Sequence, residues 1–206
     1  LGVEAALRTG VGMVRYLGGE RATTLVLQRR PEAVASPGRV QAWLLGSGMD
    51  AAERDEAALQ AALADGHPTV LDGGALDLVR SPRGPVVLTP HYRELARLVG
   101  LDAAEVASDP ARAARRAADD LRATVLLKGS TTFVAGPGIA LTVTSAPAWL
   151  ATAGAGDALG GVLGALLATH VDDITKDPTA LARLAATAAL VHGLAARRAS
   201  GGGPPT

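Results

Sequence analysis

Short apolar runs alternate along the chain with longer stretches in which Ala, Leu and Arg recur at helical spacing. The runs Gly12–Tyr16, Val40–Leu45, Thr69–Leu71, Val86–Leu88, Thr124–Leu127, Phe133–Ala135 and Ile139–Val143 have the length and branching of strands. Ala51–Ala64, Arg93–Val99 and Pro110–Leu121 lie between them and read as helices. The last has a clear start, because Ser108 and Asp109 can cap it and Pro110 suits its first position. Asp157–Ala168 and Thr179–Ser200 give two further helices. This alternation predicts an α/β fold of three layers, α/β/α, around a mostly parallel sheet. Gly136-Pro137-Gly138 sits between two short β runs and predicts a hairpin, which makes one edge of the sheet antiparallel.

Composition narrows this picture. The 206 residues suit one domain spanning 1–206, and 48% hydrophobic residues suffice for a sizeable core. Only five aromatics are present, so Ala, Leu and Val must fill that core and hold helices close to the sheet. Twenty basic and twenty acidic side chains cancel, which argues against a general polyanion-binding surface and against nucleic acid as partner. Without Cys there is no disulfide framework, thiolate metal site or cysteine nucleophile, a pattern that fits the cytoplasm. The longest apolar stretches, Ala158–Ala168 and Ala185–Val191, fall short of the roughly 20 residues that span a bilayer. Leu1–Leu17 begins without Met and as if inside a helix. The chain therefore reads as cut at that end, with Gly201–Thr206 open to the same reading.

In such sheets ligands bind beyond the carboxyl ends of the strands, and four polar or Gly-rich clusters fall there. Gly46-Ser47-Gly48-Met49-Asp50-Ala51 follows a strand and opens a helix. It is either a tight turn or a close backbone approach to a ligand, and with Asp72 it even satisfies a dinucleotide fingerprint. Thr89-Pro90-His91-Tyr92-Arg93-Glu94 offers either a helix cap or a His and a Glu able to hold a substrate and a metal-bound water. Lys128-Gly129-Ser130-Thr131-Thr132 is either a polar turn or a phosphate cradle of backbone amides, hydroxyls and one positive charge. Thr152-Ala153-Gly154-Ala155-Gly156-Asp157 carries the most information. The amides of Ala155–Asp157 would point outward at a helix N-terminus, where anions bind, and Asp157 could accept a proton from an attacking hydroxyl. Asp157 could instead be only an N-cap, but a cap needs no Gly-x-Gly before it. His192 reads as a packed core histidine, Arg112, Arg115 and Arg116 as a solvated helix face, and His67 as part of a turn.

In this order the clusters resemble one family, the C-terminal, ribokinase-like domain of ADP/ATP-dependent NAD(P)H-hydrate dehydratases. The resemblance begins at Leu7–Val14. Gly46-Ser47-Gly48-Met49 stands where that family has Gly-Pro-Gly-Leu, and Leu71–Leu76 where it has Leu-Asp-Ala-Asp-Ala-Leu. Thr89-Pro90-His91 with Glu94 is similar to its Thr-Pro-His-x-Gly-Glu, Lys128-Gly129 with Thr132 to its Lys-Gly-x-x-Thr, and Ala151–Asp157 to its Gly-Thr-Gly-Asp signature. The chain departs from the family at Arg93, which replaces a Gly, and at Ala155, which replaces a hydroxyl residue; the family's first strand and Gly-rich loop are absent.

The resemblance implies repair of hydrated NADH or NADPH in the cytoplasm by a homo-oligomer, with ADP or ATP as phosphoryl donor and Mg²⁺ as cofactor. It implies that Asp157 is the base, with Gly154, Ala155 and Gly156 forming the catalytic turn. Gly48 and His91 would contact the hydrate, Lys128, Gly129, Ser130, Thr131, Thr132 and Gly156 the nucleotide, and Glu94 the metal through water. Two other readings are a small-molecule kinase of the hydroxymethylpyrimidine or hydroxyethylthiazole type and a Rossmann oxidoreductase built on Gly46–Ala51 and Asp72.

Overall fold

The computed structural model describes residues 1–201 and 203. The expected cut at Gly201–Thr206 falls largely outside the described residues. Six strands form one sheet in sequence order: β1 (Trp43–Leu45), β2 (Thr69–Leu71), β3 (Val86–Leu88), β4 (Thr124–Leu127), β5 (Thr132–Gly136) and β6 (Ile139–Val143). Pairs β1–β2, β2–β3 and β3–β4 are parallel, whereas β4–β5 and β5–β6 are antiparallel, as the Gly136–Gly138 turn predicts.

The period of two along each strand sorts the core into two sheets of side chains. Leu45, Leu71, Leu88, Val125 and Leu127 face α3 (Glu56–Ala64), α4 (Tyr92–Val99), α5 (Ala103–Ser108), α6 (Pro110–Leu121) and the 3₁₀ turn Gly73–Arg80. Val70, Val87, Leu126 and Val134 face α7 (Ala155–Thr169), α8 (Val171–Lys176) and α9 (Ala180–Ser200). Burial on both faces is why Thr69–Leu71, Val86–Leu88 and Thr124–Leu127 are continuous apolar runs and not alternating ones. Each of the fully buried Leu and Val side chains contributes about 1.5–3 kcal/mol. Among the described residues no helix is long and apolar enough to cross a membrane.

The N-terminal stretch departs from the periodicity. The chain does begin in a helix, α1 (Gly2–Thr9), which packs on α7. A β-carbon on Gly161 of α7 would run into the Gly2 carbonyl oxygen, so this approach is closed to any larger residue. Gly12–Tyr16 is not a strand. Only Arg15 pairs, with Val34, through hydrogen bonds from Tyr16 N to Val34 O and from Val34 N to Val14 O, and Pro31 and Pro37 flank the partner too closely for the ladder to extend. The intervening α2 (Glu20–Arg29), a helix not expected from the sequence, has no buried residue. It is tethered to α1 by charge, since Glu4 accepts from Arg8, Arg29 and Arg30.

Other boundaries shift for local reasons. The helix expected at Ala51–Ala64 starts at Glu56, because Asp55 caps it by accepting from Ala58 N at 3.0 Å while Asp50 turns the chain by accepting from Ala52 N. The strand expected at Val40–Leu45 is confined to its last three residues. Arg115 is not a solvated residue: its guanidinium donates to the carbonyls of Gly136 and Ile139 and so pins the hairpin, whereas Arg112 and Arg116 are exposed and pair along their own helix. His192 is half-buried, and that burial lowers its pKa.

Two stability predictions follow from these contacts. Thr124 Oγ1 is buried between β4 and α9 without a hydrogen-bond partner. Thr124→Val keeps the shape and removes the orphaned hydroxyl, so urea unfolding of the variant should show a gain of about 1 kcal/mol at unchanged m-value. A loss instead would mean that the hydroxyl has a partner. The second concerns acid. The Arg30 and Arg8 guanidinium groups hold the Glu4 carboxyl at about 2, below its ordinary 4.5. A depressed carboxyl stabilises the fold above the unfolded-state value and loses that contribution as pH falls toward the folded one. The melting-temperature gap between the parent and Glu4→Gln should therefore be full at pH 6 and close between pH 4.5 and 2. A gap that persists at pH 2 would mean that Glu4 acts through packing.

Candidate functional site

The carboxyl ends of β1 to β4 carry, in order, Gly46-Ser47-Gly48, Asp72, Thr89-Pro90-His91 and Lys128, and the N-terminus of α7 comes down on the same edge. Gly46 has φ 91°, and a β-carbon there would collide with the Asp72 carbonyl oxygen and Ala75. Its carbonyl accepts from Met49 N at 3.1 Å and Gly74 N at 3.3 Å, so the loop after β1 is clasped onto the segment after β2. Arg54 locks the clasp: it donates to Gly74 O and, through two nitrogens, to both oxygens of Asp77. That pairing holds the Asp77 carboxyl below its ordinary range. Gly48, by contrast, lies exposed with open space above its backbone.

Asp72 is the buried centre of the edge. Its Oδ1 accepts from Lys128 Nζ at 2.7 Å and from Thr89 Oγ1 at 2.8 Å. Lys128 is itself fixed by its backbone, with its amide donating to Pro90 O at 2.8 Å and an isolated parallel pairing to His91. His91 is the N-cap of α4. Its Nδ1 accepts from the amides of Arg93 and Glu94 at 3.1 Å each, and Glu94 Oε2 accepts in turn from His91 N at 2.7 Å. The cap reading of this segment is thus correct. With Nδ1 accepting, the half-exposed Nε2 is the ring's donor, and it lies 3.6 Å from Glu94 Oε1.

Helix α7 is capped by Gly154, with φ 86°, and not by Asp157. The Ala155 amide is already engaged with Thr152 O at 3.2 Å. Of the three outward amides expected, only those of Gly156 and Asp157 lack a partner among the described residues. The Asp157 carboxylate caps nothing; its Oδ1 accepts from Ser47 Oγ at 2.6 Å. A β-carbon on Gly156 would stand 3.4 Å from Lys128 Nζ and 3.8 Å from Asp72 Oδ2, so the charged pair lies directly beneath the first turn of the helix. Gly129 and Ser130 are exposed and Thr131 is half-exposed, whereas Thr132 is buried as the first residue of β5, opposite Val143.

The structure therefore brings Asp157, Gly154, Ala155, Gly156, Lys128, His91 and Glu94 to one edge, with Gly48 at its open end. Sequence reasoning gave no role to Ser47 or Thr89 and read Asp72 only as an acid for a ribose. The available signal was charge. A carboxylate straight after a fully apolar strand needs a cation, and the chain has only two lysines, one of them also at a strand end. The dinucleotide reading fails on topology. Among the described strands the order never reverses beside Gly46, so no switch-point crevice opens there, and Asp72 is committed to Lys128.

A parallel-to-antiparallel sheet covered by helices on both faces, with a Gly-rich helix N-terminus over the strand ends, defines a ribokinase-like α/β protein. A ribokinase-like superfamily protein of Enterococcus faecalis superposes on 94% of the chain with a TM-score of 0.69 at 21% identity, a likeness of fold. The family is also defined. The model of the NAD(P)H-hydrate dehydratase (carbohydrate kinase) family matches residues 1–202, and the chain belongs to that family. It is 45% identical over 178 residues to the bifunctional NAD(P)H-hydrate repair enzyme Nnr of Mycobacterium tuberculosis, a match covering 80% of this chain and 37% of that protein. It is 38% identical over 152 residues to the ADP-dependent (S)-NAD(P)H-hydrate dehydratase of Neisseria meningitidis, covering 68% of this chain and 51% of that one. The ADP/ATP-dependent NAD(P)H-hydrate dehydratase of Bacillus subtilis, co-crystallised with ATP and Mg²⁺ and soaked with CoA, superposes with a TM-score of 0.83 at 27% identity over 98% of this chain and 77% of that one. The chain thus spans well under two thirds of the length of these two curated relatives.

The pairing at the centre of the edge can be tested by stability. Asp72→Ala leaves Lys128 and the Thr89 hydroxyl without their acceptor, and should cost about 2–3 kcal/mol in denaturant unfolding. Adding Lys128→Met to Asp72→Ala should return part of that loss. A double variant as unstable as the sum of the two singles would mean that the residues do not interact.

Proposed function

We propose that this chain dehydrates the hydrate of NADH or NADPH with ADP or ATP as phosphoryl donor. The single observation that carries the reading is the pair of α7 amides without a partner among the described residues, beside an Asp157 whose carboxylate caps nothing and accepts from Ser47, and the family supports it. The hydroxyl of the hydrate is a poor leaving group. Asp157 takes its proton while the oxygen attacks the terminal phosphoryl group, and the amides of Gly156 and Asp157 face the charge on that group. Elimination of phosphate from the adduct, with loss of a proton from the neighbouring ring carbon, restores the double bond of the reduced ring.

Lys128, Gly129, Ser130 and Thr131 hold the nucleotide together with Gly156. Thr132, buried at the start of β5, belongs to the same nucleotide loop. Gly48 offers bare backbone to the hydrate, and His91 offers its Nε2–H. Among the described residues no three His, Asp or Glu side chains converge into a metal cage, a pattern that fits Mg²⁺ held by phosphates and water and not by a protein cage. Glu94 would hold the ion through water, and the ion supplies charge neutralisation on the donor phosphates. Within the same reading the chain is one domain, acts in the cytoplasm and assembles as a homo-oligomer. A kinase that stops at the phosphorylated product would share this fold but not this family.

The test is incubation with NADH hydrate and either nucleotide, following the recovery of reduced-nicotinamide absorbance. Asp157→Asn should fold as the parent does, because Gly154 is the cap, and should lose on the order of 10²–10⁴ in rate. Its nucleotide affinity should hold or rise as a negative charge leaves the phosphates. Turnover at the parent rate would remove Asp157 from the mechanism.

A further inference from the structure

The two carboxylate oxygens of Asp157 are not equivalent. Oδ1 accepts from Ser47 Oγ at 2.6 Å, a short charge-assisted bond joining residues 110 apart in the chain across the gap between β1 and α7. Oδ2 has no hydrogen-bond partner among the described residues and faces the Gly154 turn, 3.9 Å from where a β-carbon on that residue would stand. Ser47 is held rigidly enough to make this distinction last. Gly46 before it is wedged against Asp72 and Ala75, and its carbonyl is clasped by Met49 and Gly74. A β-carbon on Gly2 would stand 3.2 Å from the Asp157 carbonyl oxygen and 4.0 Å from Ser47 Oγ, so α1 lies against the far side. A serine hydroxyl has one proton to donate, and here it goes to Oδ1.

We infer that Ser47 is a positioning residue, which occupies Oδ1 of Asp157 and fixes the plane of the carboxylate so that Oδ2 receives the substrate proton. The inference rests on the reading of Asp157 as the base. In that step the O–H bond of the hydrate hydroxyl breaks and an O–H bond forms on Oδ2. The hydroxyl oxygen's electron pair forms the new O–P bond, and the P–O bond to the departing nucleotide breaks with its electrons on the nucleotide. Ser47 keeps its proton throughout. It stands where the resembling pattern has a proline, which carries no hydroxyl, so the device belongs to this chain and not to the pattern.

The experiment is a set of variants read in two ways. Ser47→Ala should lower kcat roughly 10- to 100-fold, the scale of a sub-ångström to 1 Å misplacement of a reacting group. KM for nucleotide and for hydrate should stay near the parent values. Ser47→Thr keeps the hydroxyl and should recover most of the loss, and Ser47→Ala should cost nothing further in an Asp157→Asn background. A Ser47→Ala variant at the parent kcat, or one losing as much again in the Asp157→Asn background, overturns the inference. Denaturation midpoints of the parent, Ser47→Ala, Asp157→Ala (which, unlike Asn, removes the accepting oxygen) and their double variant read the bond without reference to turnover: coupling is expected, and additivity overturns it. A parent that fails to restore the reduced cofactor would defeat the proposed function, while the stability cycle would still report whether Ser47 holds Asp157.

Discussion

Four parallel strands laid side by side in sequence order constrain everything else in this molecule. When the order runs one way, each right-handed crossover returns over the same face, so α3 to α6 fill that face before β4 is complete. The other face has to be covered by whatever comes later, and α7 and α9 cover it. The antiparallel hairpin then decides where α7 begins. Strand β4 ends at the carboxyl edge, β5 runs back, and β6 returns, so the chain leaves the sheet at the edge where β1 to β4 end. The N-terminus of α7, with its free amides, is delivered there by topology alone. Two short antiparallel strands are what bring a helix N-terminus to the sheet edge where the function proposed above places the phosphates.

That delivery explains which parts of the protein were legible in its sequence. Thr69–Leu71, Val86–Leu88 and Thr124–Leu127 could be read to the residue, because burial on both faces writes itself as an unbroken apolar run and the strand ends mark the site. Pro110–Leu121 was equally legible, since Asp109 and Pro110 are local signals. What could not be read was whatever depends on a partner distant in sequence. The single pairing of Arg15 with Val34 leaves Gly12–Tyr16 without a ladder, and no local pattern announces that. Helix α2 buries nothing and is tied on by Glu4, a partner from another part of the chain. At the site, the Gly-x-Gly-Asp turn was recognisable, but Asp157 looked capable of capping its own helix. Only the hydroxyl of Ser47, brought over from β1, shows that its carboxylate is engaged elsewhere.

The charges at the edge carry a further consequence. Lys128 lies beside the first turn of α7, yet its ammonium already faces Asp72, and Asp157 and Glu94 add two more carboxylates along the same edge. The fixed side chains named here sum to a negative charge, which by itself repels a nucleotide's phosphates. Binding must then draw on sources other than net side-chain charge: the two free amides at the positive end of α7, acting at close range, and a divalent ion arriving with the phosphates. Asp72 does not make Lys128 useless in this balance. By holding Nζ within reach of Gly156, it removes the entropy loss of ordering a long side chain when the ligand arrives. Under the proposed function, a phosphate oxygen entering between the amides and Nζ takes one of the two donors left to the ammonium without displacing Asp72, since an ammonium carries three. The buried pair is in this sense a preset jaw. Its cost in desolvation is offset in the folded protein by the Thr89 hydroxyl, the second donor to the same carboxylate oxygen.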